Sequence, residues 1–182
     1  MAEYRGWVDR RLVLSFAAAA TGYAIAAGLG PPVSAMPFES REPAEPCRSE
    51  QVAVTASPTQ AAVGHRAVTL TFSLAGGAQP CTLTGYPTVE TGAGGPHIHA
   101  KPTLRGYLGG LPSNIDVPPT VTLSLAGQGQ AVVEGMAVDR AGNSCPTYTE
   151  LQVNPPDTII VFTVPAAIDA CDLQVHPITD VL

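Results

Sequence analysis

The side chains of this sequence best suited to chemistry are its four histidines and four cysteines, and their spacing limits what they can do. His97-Ile98-His99 sets two imidazoles at i and i+2. In a strand such residues share a face, where they could share a metal ion. A third ligand such as His65 or Glu90 would be needed, and nothing in the sequence brings one near. Between Gly95-Pro96 and Lys101-Pro102 the pair reads as two exposed histidines on a mobile loop. No metal site is therefore expected, with His97 and His99 the weak candidates for one. His176 alternates with Leu173 and Val175 and is expected at the surface.

Cys47, Cys81, Cys145 and Cys171 include no Cys-x-x-Cys pair, which argues against a zinc knuckle and against a redox dithiol. An even number of cysteines suits disulfides, which persist in oxidising compartments. Three connectivities are open to four cysteines.

Catalytic patterns are missing. No serine sits in a Gly-x-Ser-x-Gly turn, and Ser113, Ser124 and Ser144 read as loop or strand-surface residues. Glu134 and Asp139 read as the rim of a hairpin rather than a carboxylate pair for glycoside chemistry. The glycines at 92–95 precede neither a helix nor a Lys-Ser/Thr, so they make no phosphate cradle. No catalytic residue and no cofactor are expected. Two tyrosines remain as possible contact residues. Tyr86, between Gly85 and Pro87, suits either a corner that ties a loop to backbone or an exposed binding aromatic. Tyr107 lies in Leu-Arg-Gly-Tyr-Leu-Gly-Gly-Leu at 104–111, which reads as a flexible edge loop usable as a contact surface.

The elements that must carry these residues are strands. Residues 66–74 alternate, with Val68, Leu70, Phe72 and Leu74 on one face and Thr69, Thr71 and Ser73 on the other. Residues 120–125 repeat this with Val121, Leu123 and Leu125. Shorter candidates lie at 51–55, 81–84, 130–138, 151–153 and 171–175. The apolar run Ile159-Ile160-Val161-Phe162 within 158–164 suggests a strand covered on both faces. Gly76-Gly77, Gly109-Gly110, Pro118-Pro119, Gly142-Asn143 and Pro155-Pro156 punctuate the chain. No helical stripe follows Met36. The expected fold class is all-β: an Ig-like antiparallel β-sandwich stapled by two disulfides, preceded by an N-terminal signal or anchor helix. Trp7 is the sole tryptophan and precedes the sandwich, so the likeness is to the architecture and not to antibody domains.

The first 46 residues read as an address. Arg5, Arg10 and Arg11 precede an apolar segment at 12–30, followed by Val33-Ser34-Ala35 with small residues at −3 and −1. Residues 1–35 are expected to be a signal peptide cleaved after Ala35. The rival is an uncleaved membrane anchor, since nineteen residues at ~1.5 Å rise just span a hydrocarbon core of ~30 Å. Residues 36–46, with three prolines and three glutamates, read as an extended linker. The domain then runs from 47 to 182.

Without residues 1–35 the chain keeps six basic and thirteen acidic side chains, a net charge of −7. An acidic domain with no basic cluster is a poor partner for phosphate backbones, so nucleic acid is excluded. Contact with a membrane is expected only through the N-terminal segment.

From Cys47 onward the chain resembles an actinobacterial, largely mycobacterial, family of secreted proteins and lipoproteins built on one domain of unknown function. The resemblance rests on Val63-Gly64-His65 before Val68-Thr69-Leu70, then Pro80-Cys81-Thr82-Leu83-Thr84-Gly85-Tyr86-Pro87, its most specific motif. Further matches are the turn within 123–131, Cys145 followed by Leu151-Gln152-Val153-Asn154-Pro155-Pro156, and Cys171-Asp172-Leu173-Gln174-Val175-His176-Pro177-Ile178. Ala126-Gly127 lacks the family's usual proline, which predicts a looser turn there. The resemblance implies an Ig-like sandwich, export and no established activity. With the locality of the pairs, it also favours Cys47–Cys81 and Cys145–Cys171.

The expected function is that of an uncharacterised exported cell-envelope protein, a non-catalytic binding or interaction module. Its partner would be an unknown envelope protein or ligand. It would be extracytoplasmic, secreted or anchored to the outer face of the cytoplasmic membrane. The alternatives are a structural or accessory envelope domain without a discrete ligand, and a cell-wall or lipid hydrolase.

Overall fold

A computed structural model describes residues 44–181; the expected signal or anchor segment lies outside them. Beyond one 3₁₀ turn at Ser49–Gln51, the described residues form twelve strands. They are β1 (Val52–Ala56), β2 (Gln60–Ala62), β3 (His65–Leu74), β4 (Cys81–Thr84), β5 (Thr88–Thr91), β6 (Lys101–Pro102), β7 (Thr120–Leu123), β8 (Gly129–Met136), β9 (Thr147–Asn154), β10 (Phe162–Asp169), β11 (Leu173–Val175) and β12 (Thr179–Asp180).

Seven strands make the larger sheet, in the order β1-β3-β8-β11-β6, with β2 on β3 and β12 on β8. All its pairings are antiparallel except β11 with β6. The facing layer comprises the sheet β10-β9-β5 and the ribbon β4-β7. From it, β7 and β10 pack on β3 and β8. The fold is thus an all-β sandwich of mainly antiparallel sheets.

Alternation explains the core. Val68, Leu70 and Phe72 of β3 and Val133 of β8 are fully buried, and Val68 pairs with Val133 in register. Leu173 and Val175 continue the layer on β11. Against them stand Leu83, Val89, Val121, Leu123, Leu151, Val153 and Ile168, in one contiguous cluster. At roughly 25 cal/mol per Å² of apolar surface removed from water, this interdigitated layer is the main favourable term in the fold.

Cys47–Cys81 ties the start of the domain to β4, and Cys145–Cys171 ties the approach to β9 to the approach to β11. Their sequence separations of 34 and 26 residues make each cross-link worth roughly 3–4 kcal/mol against the unfolded chain. Their surroundings differ. Cys47 and Cys81 are both buried, whereas Cys171 is exposed.

Two strand expectations need correction. Ile159, Ile160 and Val161 are not in a covered strand: Ile159 is 94% exposed and β10 begins only at Phe162. The prolines and Asp157, with its positive φ of 58°, hold the preceding turn, so the apolar run is the outgoing arm of a loop. Residues 120–125 are also shorter than read. β7 stops at Leu123, and Leu125 is 99% exposed in a turn where the Ser124 hydroxyl accepts from the Ala126 and Gly127 amides. That hydroxyl holds the turn without the missing proline.

β10 borders its sheet. It carries Pro165, which has no N–H, and its pairing with β9 slips between Pro165 and Ile168.

Candidate functional site

β3 begins at His65, straight after a two-residue turn. Val63 and Gly64 both have positive φ, 47° and 83°, as a type I′ hairpin turn requires. This turn fixes where the His65 ring leaves the sheet. Five strands further on in chain order but adjacent in space, β8 presents Glu134 on the face opposite core residue Val133.

Outward is not solvent here. Glu134 is 4% exposed, and His176, just beyond β11, is 1% exposed. Both expectations, a hairpin rim for Glu134 and a surface position for His176, are overturned for one reason. Residues 103–111 lie over this face of the larger sheet. Asp139 does occupy a hairpin loop, where its carboxylate accepts from the Ala141 and Asn143 amides.

The covering segment is a miniature hairpin. Leu111 N–H donates to the Leu104 carbonyl and Gly106 N–H to the Gly109 carbonyl, at 2.8 Å each. Its turn is clamped from below by the Glu134 carboxylate. Oε1 accepts from the Tyr107 amide at 3.2 Å and meets His65 Nδ1 at 2.5 Å. Oε2 accepts from the Leu108 amide at 3.0 Å and faces His176 Nε2 at 3.4 Å. His176 Nδ1 in turn donates to the Thr103 carbonyl at 3.0 Å. Burial alone would push the Glu134 carboxyl up. The Leu108 amide, the bonds to His176 and His65 and the charge of His65 outweigh it, holding the carboxyl below its ordinary 4.5.

So close an approach demands glycine. A β-carbon on Gly106 would stand 2.5 Å from His176 Nε2 and closer still to Glu134 Oε2. One on Gly109 would stand 2.7 Å from Cβ of Val132. The segment read as a flexible edge loop is therefore tethered at its centre. The signal available in the sequence was a glutamate inside an apolar strand together with glycines at 106 and 109, the mark of backbone pressed against something.

Above the clamp, the Tyr107 ring is 59% exposed and stacks on His65, centroids 4.5 Å apart and planes 19° from parallel. The chain beyond is held by Arg105, whose guanidinium donates to the carbonyls of Pro112 and Ile115 and to Asp116. Ile115 and Val117 project at 41% and 73% exposure. A cleft of about 280 Å³ opens beside this hairpin, lined by Thr69, Gln130, Val132, His176 and Gly109-Gly110.

The other sequence candidates lie elsewhere. Tyr86 is half-buried, and its hydroxyl has no hydrogen bond among the described residues. The tyrosine that ties a loop to backbone is Tyr148, fully buried, whose hydroxyl donates to the Pro96 carbonyl at 2.7 Å. His97 and His99 sit on a segment that is pinned rather than mobile. Thr91 N–H donates to the Ile98 carbonyl and Ala100 N–H to the Val89 carbonyl. Glu90 stands opposite His99, while His65 is engaged at Glu134. Among the described residues no three such side chains are set, as they stand, to hold a metal ion.

A family model described as a domain of unknown function, DUF4232, matches residues 47–179. The chain belongs to this family. No curated protein and no solved structure matches it. The DUF4232 domain thus takes in both disulfides, the Glu134 clamp and the hairpin above it.

Proposed function

We propose that this DUF4232 domain is an exported, non-catalytic interaction module of the cell envelope, and that its contact surface is the loop 104–117 with Tyr107 at its tip. The observation that carries this reading is the clamp: a buried carboxylate accepts two backbone amides and thereby fixes an exposed aromatic. A tyrosine held in advance loses little conformational freedom on binding, and aromatic anchors of this kind dominate interface energetics. Ile115 and Val117 extend the apolar surface along the same loop. Glu134 directs both oxygens at amides and imidazoles, an arrangement that fits a fastener better than an acid or base awaiting substrate. Export is supported by the N-terminal pattern and by two disulfides, which are kept in oxidising spaces.

A photoreactive phenylalanine analogue tests the surface in the cells that make the protein. Placed at 107 or 117 it is expected to give an adduct of defined mass. Placed at Thr163, exposed on β10 in the other layer, it is expected to give none. Equal labelling at 163, or no adduct at either loop position, would end this reading.

A further inference from the structure

Glu90 and His99 face each other across an antiparallel bridge between β5 and the segment 97–100. His97 lies two residues from His99 in an extended stretch whose Ile98 packs against the core, so both imidazoles project away from it. The Glu90 carboxylate lies between them, Oε1 at 2.9 Å from His99 Nδ1 and Oε2 at 3.8 Å from His97 Nδ1. Two donors bound at ~2.1 Å to one ion stand roughly 3–3.5 Å apart. The two observed separations straddle that range.

We propose that Glu90, His97 and His99 form a surface site for a borderline divalent transition cation, with copper(II) held more tightly than zinc(II). As the side chains stand, one carboxylate oxygen meets the His99 nitrogen directly, the other stands short of His97, and no common point is enclosed. The closure proposed is a turn of the two rings, which are 61% and 73% exposed. The backbone under them is held in place. The hydrogen bonds of Thr91 and Ala100 to Ile98 and Val89 fix the register, and Ile98 N–H donates to the Thr91 hydroxyl at 2.9 Å. Two neutral imidazoles and one carboxylate suit copper and zinc and are too nitrogen-rich for calcium or magnesium. Exposure leaves the remaining positions to water, so the site is open.

The test is titration of the untagged full-length protein with copper(II), zinc(II), calcium and magnesium. It is joined to electron paramagnetic resonance of the copper complex. The expected result is one equivalent of copper, weaker zinc, and neither of the hard cations, with two imidazole nitrogens in the copper spectrum. His97→Ala and His99→Ala should each remove one nitrogen and weaken binding at least tenfold, and Glu90→Gln severalfold. Absence of uptake would overturn the site. So would undiminished uptake by the double variant H97A/H99A, which would place the metal elsewhere.

Discussion

Gly106 lies against Glu134 so closely that any side chain on the glycine would overlap the carboxylate that holds its neighbours. The two positions, 28 residues apart, therefore constrain each other.

Gly106→Ala should lift the hairpin from the sheet. The glutamate's end cannot simply swing away, because it is buried and engaged on both oxygens. A cost of roughly 1–3 kcal/mol is expected. Hydrogen exchange at the Leu108 amide should accelerate at least tenfold while amides in the centre of β3 keep their protection. Unchanged exchange at Leu108 would show that the clamp is not what holds the loop.

Glu134→Gln keeps the shape but turns an acceptor-only group into one with an N–H₂ that faces donors. About 1–3 kcal/mol of stability should be lost at neutral pH. The folded carboxyl is held below its ordinary 4.5, so its contribution is complete above that value and fades as pH falls through the lower folded value. Wild type and E134Q should accordingly differ most above pH ~5 and converge in acid. Denaturant midpoints measured from pH 7 to pH 3 check this, and a gap that widened in acid would contradict it.

The two cross-links should respond unequally to reductant. Cys171 is open to attack, whereas both sulfurs of Cys47–Cys81 are inside the core cluster. Mass spectrometry after brief mild reduction and alkylation should find Cys145 and Cys171 labelled first. Loss of both bonds, at roughly 3–4 kcal/mol each, should lower the melting temperature by tens of degrees.

Leu123 and Leu125 alternate in sequence yet differ in the fold, one fully buried and the other 99% exposed. Leu123→Ala should cost about 2–5 kcal/mol, and Leu125→Ser no more than about 0.5 kcal/mol. Comparable losses from both would mean that β7 runs on past Leu123.

What could be read in advance followed from which faces meet water. β3 was legible because one face meets the core and the other carries threonines, so periodicity reports burial directly. β4 is legible for the same reason, with Thr82 and Thr84 opposite Cys81 and Leu83. For His176 the alternation with Leu173 and Val175 points to the right face, and Glu134 likewise lies opposite core residue Val133. Alternation gave the wrong exposure, because a segment distant in sequence covers that face, and strand periodicity carries no record of such a cover. The Ile159-Ile160-Val161 run misled differently: an apolar stretch has no phase from which to tell a buried strand from a bare loop. Tyr148 was passed over because its anchor, the Pro96 carbonyl, is 52 residues away. Glu90 lies opposite His99 through strand pairing alone, and the two residues share no local motif.

The border of the smaller sheet has a consequence for the molecule among its own copies. An extended segment from another chain that sought to add itself beside β10 would find a donor missing at Pro165 and the ladder out of step just after it. Edge-on stacking into open-ended ribbons is blocked at that margin by two features of the backbone, whatever side chains surround it.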